Sequence, residues 1–174
     1  MIIQLCGLSG SGKTTLSKNV REVLSGQGIN VEIIDGDEYR KVLCADLGFS
    51  KEDRNRNIRR LAFVASKLSK YKIVSIICAI NPYEDIRNEI TALYPNVKTV
   101  FIDCSLDVLI SRDTKGLYKK ALLPSDHPEK IKNLTGINDP FEIPILPDLV
   151  ISTHIDSIET ATIKLGNFIL DNEL

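Results

Sequence analysis

The chain of 174 residues is long enough for one domain with a substantial core, 43% hydrophobic and 26% charged as ordinary globular proteins are. Its 22 Lys and Arg against 23 Asp and Glu leave a formal charge of −1, which excludes a broad electrostatic affinity for nucleic acid or an acidic membrane surface. The four cysteines, Cys6, Cys44, Cys78 and Cys104, form no CxxC pair and have no histidine at metal-ligand spacing. They are expected to be buried and reduced, which points to a reducing compartment. The longest apolar run, Ile73–Ile80, is far too short to span a membrane. Residues 1–6 are too short for the apolar core of a signal peptide and lead straight into a glycine-rich loop, so a cytoplasmic protein is expected.

In chain order, short β-branched runs alternate with helical patterns. Ile2–Cys6, Val31–Ile34, Ile73–Ile80, Val97–Ile102 and Leu149–Ser152 are continuously apolar, as strands covered on both faces are. Lys13–Ser25, Lys51–Lys70, Tyr83–Leu93, Leu106–Arg112 and Ser157–Leu170 read as helices, with Ser50 as the N-cap of the second and Asp53 at its N3 position. Such alternation predicts an α/β fold with a parallel sheet and helices on both faces, in a single domain over residues 1–174. Residues Thr114–Pro147 break the rhythm with a basic cluster and several prolines. A segment of that length without clear elements reads as a lid over a site.

The chemistry starts at Gly7-Leu8-Ser9-Gly10-Ser11-Gly12-Lys13-Thr14, a full match to G-x-x-x-x-G-K-[ST] between a predicted strand and a predicted helix. The glycines let the backbone turn its N–H groups onto phosphate oxygens, and the helix N-terminus adds partial positive charge. Lys13 reaches the β- and γ-phosphates, Thr14 offers a hydroxyl to Mg²⁺, and Thr15 continues the phosphate-binding set. The loop predicts binding of a nucleoside triphosphate with Mg²⁺. No N-K-x-D guanine-reading motif is present, and a small domain with a basic lid favours phosphoryl transfer to a small molecule.

After the second strand come Asp35-Gly36-Asp37 and Arg40. Carboxylates at the carboxyl edge of a parallel sheet suit Mg²⁺ or an acceptor hydroxyl, although either aspartate also suits a helix cap. Further on stand Leu47-Gly48-Phe49-Ser50, Asp53-Arg54, Asn57-Ile58-Arg59-Arg60, then Arg112-Asp113 with Lys115-Gly116-Leu117-Tyr118-Lys119-Lys120-Ala121, then Thr135-Gly136-Ile137 with Pro140-Phe141-Glu142 and Pro144. This ordered set resembles the adenylylsulfate kinase family, over roughly Gly7 to Val150.

The resemblance implies a P-loop NTPase fold with a five-stranded parallel sheet, and a homodimer. It implies transfer of the ATP γ-phosphate to the ribose 3′-hydroxyl of adenylyl sulfate. It makes Asp37 a catalytic carboxylate that polarises the acceptor hydroxyl or holds Mg²⁺. Arg40, Arg54 and Asn57 match side chains that grip the acceptor nucleotide, and Phe49 matches an aromatic that stacks on its base. Arg112, Lys115, Lys119 and Lys120 fall in the basic lid that closes over ATP. Asn81-Pro82-Tyr83 with Arg87 follows the third strand, where the family reads I-S-P-Y; Arg87 is expected either to face the acceptor's anionic group or to serve a plain strand-to-helix turn.

The sequence departs from the family at Arg56, Asn81, Leu134 and Asn138. Leu134 stands where a lid aromatic would complete a sandwich around the acceptor base with Phe49. Base–aromatic stacking contributes about 1–3 kcal/mol per base, so the change opens a second acceptor, a cytidine nucleotide such as cytidine diphosphoramidate from capsule pathways. A third reading, of another class, is a catalytically idle nucleotide-binding module.

Overall fold

The computed structural model describes residues 1–172. Five parallel strands form its sheet: β1 (Ile2–Cys6), β2 (Val31–Asp35), β3 (Val74–Cys78), β4 (Val97–Asp103) and β5 (Leu149–Ser152), in the order β2-β3-β1-β4-β5. Seven helices accompany them among the described residues: α1 (Lys13–Ser25), α2 (Gly36–Tyr39), α3 (Lys51–Ser69), α4 (Glu84–Leu93), α5 (Leu106–Arg112), α6 (Leu117–Ala121) and α7 (Ile158–Asn172).

The continuous apolar runs follow from burial on both faces. Alternation along β1 sends Ile3 and Leu5 into a layer with Leu16, Val20 and Leu24 of α1 and Leu165 and Ile169 of α7. Ile2 turns to the other face, against Ile58, Leu61 and Ala65 of α3 and Ile86 and Ile90 of α4. The chain fills the sheet to one side of β1 and then to the other. The crevice at the carboxyl end of β1 is therefore the topological switch point, where open α/β sheets take ligands.

The third strand ends at Cys78, two residues short of the expected Ile80. Asn81 adopts a left-handed backbone, φ 47°, and the Ile80 carbonyl turns to accept from Gly7 N–H. Two short helices escape periodicity because local caps, rather than apolar patterning, hold them. The Asp35 carboxylate receives the N–H groups of Asp37 and Glu38 at the start of α2. The Asp113 carboxylate receives those of Tyr118 and Lys119 in α6. The predicted lid thus carries α6, and a small apolar cluster of Leu109, Tyr118, Ala121 and Leu134 anchors it, with Leu8 of the phosphate loop packed alongside.

Arg87 is a buried strut in this fold, 1% exposed. Its guanidinium donates to Glu84 Oε2 and to the carbonyls of Asn81 and Glu142, tying α4 to the turn before it and to the end of the lid. Removing one partner from a buried ion pair strands the other charge, whereas Arg59 and Glu89 are near the surface, at 40% and 41% side-chain exposure. Urea unfolding of Arg87→Met is expected to show a loss of roughly 3 kcal/mol, and that of Arg59→Met a loss below about 1 kcal/mol. Unchanged stability in Arg87→Met, with weakened acceptor binding, would return Arg87 to the substrate.

Candidate active site

Gly7 makes the phosphate loop possible. Its φ is 154°, and a Cβ there would sit 2.5 Å from the Ile102 carbonyl oxygen, so only glycine lets the loop leave β1 this close to β4. The loop then curls around the ammonium of Lys13. Nζ donates to the carbonyls of Gly7 and Leu8, both at 2.8 Å, and approaches Ser11 Oγ at 3.3 Å. Gly12, left-handed at φ 95°, hands the chain to α1, whose first N–H groups face the same hollow.

The loop borders a cleft of about 740 Å³ lined by Ser9, Gly10, Gly12, Lys13, Thr14 and Thr15 on one side. Asp35 lines it from the end of β2, Asp37 from α2, Phe49 and Arg54 from around the start of α3, and Lys115, Asn133 and Leu134 from the lid. Thr14 Oγ1 donates to Asp35 Oδ2 at 2.9 Å. Across the opening, Lys115 Nζ reaches Asp37 Oδ2 at 2.6 Å, an exposed pair of small worth that joins the lid to α2.

A second wall of the cleft is built around Phe49. The Arg40 and Arg54 guanidinium carbons lie 4.7 and 5.4 Å from its ring centroid, while the ring stays half exposed. Arg54 is itself buried; Nε donates to the Phe49 carbonyl, and Nη2 to the Asn133 carbonyl and to Asp139 Oδ2 at 2.8 Å. It therefore clamps the lid onto α3 as well as facing the cleft. Arg40 holds the carbonyls of Leu47 and Gly48 and stands behind Phe49, off the cleft wall.

Several expected site residues sit elsewhere. Arg87 is enclosed in its own ion pair and does not line the cleft, which corrects its assignment to the acceptor's anionic group. Asn57 is buried on α3, its Oδ1 without a partner among the described residues, behind the cleft wall. Arg112 donates to the Thr153 carbonyl at 3.4 Å, and Lys119 is exposed on α6; neither borders the cleft. Sequence reasoning passed over Cys78, Ala79 and Ile80, which form the cleft floor at the carboxyl end of β3. The rule that parallel sheets bind ligands at that edge was the signal available.

Asp35 and Thr14 bring hard oxygen donors together beside the loop that would hold a polyphosphate, with Asp37 at the opening of the same cleft. Mg²⁺ prefers such a setting, with one or two carboxylates and the remaining ligands from phosphates and water. The donor set fits that ion, with Asp35, rather than Asp37, the carboxylate bonded to Thr14.

The family model described as adenylylsulphate kinase matches residues 1–152. An adenylyl-sulfate kinase of Chloroflexus aurantiacus is 44% identical over 158 residues, covering 91% of this chain and 82% of that protein. One from Rippkaea orientalis is 42% identical over 163 residues, covering 94% and 87%. The solved structure of the Mycobacterium tuberculosis APS kinase in complex with AMPPNP and APS superposes with a TM-score of 0.84 at 34% identity, covering 98% of this chain and 95% of that one.

Burial pulls the Lys13 ammonium down from 10.5 to about 8. Between those values the unfolded chain holds the proton and the folded one does not, so stability rises with pH across that window. Below it both states are protonated and the desolvation cost stands in full. A triphosphate restores the charge. Calorimetry of ATP binding at pH 8.5, in buffers of differing ionisation enthalpy, is expected to show uptake of roughly half a proton or more, and Lys13→Met is expected to remove it.

Proposed function

The chain belongs to the adenylylsulphate kinase family, and from that premise we infer how its own residues carry the family's reaction. The protein is an ATP-dependent kinase with an alcohol acceptor, moving the γ-phosphate of ATP to the ribose 3′-hydroxyl of adenylyl sulfate. The observation that carries the residue assignment is the single cleft shared by the phosphate loop, the Asp35 and Asp37 carboxylates and the Phe49 ring.

In this reading the N–H groups of the loop and the ammonium of Lys13 hold the β- and γ-phosphates. Thr14 and Asp35 would hold Mg²⁺, which would supply positive charge against that of the phosphates. Asp37, free of the Thr14 contact, accepts the hydrogen bond of the attacking 3′-hydroxyl and takes its proton as the bond to phosphorus forms. Lys115 exchanges its exposed pairing with Asp37 for the transferring phosphoryl group as the lid closes, and brings charge where charge spreads over the equatorial oxygens. Phe49 offers a face to the acceptor base, and Arg54 keeps lid and α3 in register around it.

The acceptor is adenylyl sulfate in preference to a cytidine nucleotide because the relatives similar over nine-tenths of the chain carry that name. Leu134 contributes an aliphatic wall rather than an aromatic one. We assign the assembly as a homodimer, for which Ile145 and Leu146, 77% and 89% exposed, offer apolar surface. The compartment is the cytoplasm, in keeping with four free, buried cysteines; no helix among the described residues is long and apolar enough to cross a membrane.

An assay coupled to ADP release, run on adenylyl sulfate and on cytidine diphosphate derivatives at equal concentration, is expected to give higher kcat/KM on adenylyl sulfate. Faster turnover of the cytidine compounds would overturn the acceptor, and silence with every acceptor despite ATP binding would leave an idle module. Lys13→Ala is expected to lower kcat by about a hundredfold or more.

A further inference from the structure

A phosphate loop works only if its N–H groups point inward, and a planar trans peptide makes that a question about carbonyls. The C=O of one residue and the N–H of the next lie in one plane and point in opposite directions. Whatever holds a carbonyl outward therefore aims the following N–H into the hollow. The first two carbonyls of the loop, those of Gly7 and Leu8, are held by Lys13. Those two are therefore tied within the motif itself.

Two other carbonyls are held from outside the motif. The Tyr118 hydroxyl donates to the Ser9 carbonyl at 2.8 Å, from α6 and 109 positions away. Thr153 Oγ1 donates to the Ser11 carbonyl at 2.9 Å, 142 positions away, just past β5. Each hydroxyl is well placed. Tyr118 is 2% exposed in the lid cluster, and its ring direction is set by packing against Leu109 and Leu134. Burial pushes its phenol up to about 12, so it stays a donor at any pH at which the protein works. Thr153 is pinned by its own N–H to the Asp103 carbonyl at 2.9 Å. Its methyl lies 3.8 Å from where Gly12 would carry a Cβ. The N–H groups on the far side of these two peptides, those of Gly10 and Gly12, have no acceptor among the described residues.

We propose that Tyr118 and Thr153 are positioning residues for the donor nucleotide, which hold the Ser9–Gly10 and Ser11–Gly12 peptides so that the Gly10 and Gly12 N–H groups face the triphosphate. Tyr118 does so from the lid, as the second residue of α6 and three positions from Lys115, so the segment that closes over ATP also keeps its cradle in shape. The inference rests on the kinase reading above, in which this loop grips the ATP phosphates.

The test compares wild type, Tyr118→Phe, Thr153→Val and Thr153→Ser for binding of inorganic tripolyphosphate, for the KM of ATP and of adenylyl sulfate, and for melting temperature. Tyr118→Phe keeps the ring and Thr153→Ser keeps the donor. Tripolyphosphate Kd and ATP KM are expected to rise together by about fivefold to tenfold in Tyr118→Phe and Thr153→Val. Thr153→Ser should return to wild type, and the KM for adenylyl sulfate should stay within about twofold in all three. A purely structural role would lower the melting temperature while leaving tripolyphosphate affinity intact, and that result overturns the proposal. So does equal weakening on the acceptor side. Should Tyr118→Phe fail to fold, the Thr153 pair decides alone. Absence of ATP and tripolyphosphate binding in wild type would sink the kinase reading itself, a result distinct from normal binding in every variant.

Discussion

A buried ammonium ringed by backbone carbonyls is an unstable bargain until an anion arrives, and the rest of this molecule is arranged around that fact. Lys13 sits inside its loop with the Gly7 and Leu8 carbonyls as stand-in partners, at a depth that weakens its hold on the proton. The sheet supplies the rigidity that keeps it there. Gly7 leaves β1 against the backbone of β4 and donates to the carbonyl of Ile80 beyond β3, so both neighbours of the central strand define where the loop begins. A polyphosphate would then meet N–H donors already in position, with the Lys13 ammonium close at hand.

The lid is attached to that loop at more points than a flexible cover needs. Leu8 packs into the lid cluster, and Tyr118 holds Ser9. Gly136, left-handed at φ 90°, passes so close to Leu8 that a Cβ would lie 2.7 Å from its Cδ2. On the acceptor side Arg54 fastens Asn133 and Asp139 to the start of α3, and Lys115 reaches Asp37. Phosphate loop, Phe49 wall and lid are thus joined at several points. The weakest link is the exposed Lys115–Asp37 pair, which spans the opening of the cleft.

Charged residues of similar appearance have divided between chemistry and scaffolding according to burial. Arg54 and Arg87 are both enclosed, yet one borders the cleft and the other ties helix, turn and lid end together behind it. Asp35 and Asp37 are two positions apart on the chain. One bonds Thr14 and caps α2, and the other projects across the opening. The separation gives each carboxylate a distinct environment, as a reaction needs when one group serves the metal and another the proton.

The linear order of residues was enough for the α/β class, for five strands and five of the helices, for the lid and for the phosphate loop. Each rests on short-range physics: apolar periodicity, caps, and the glycines a tight turn requires. It was enough, too, for the family, because the ordered motifs span most of the chain. Tertiary structure alone decided which arginine lines the cleft, since the partners that enclose Arg87 include Glu142, 55 positions away, and those of Arg54 include Asp139, 85 away. It alone found Tyr118 and Thr153 behind the loop. A hydroxyl in a helix or past a strand carries no local sign of its acceptor, and only the folding of the sheet brings Ser9 and Ser11 within reach.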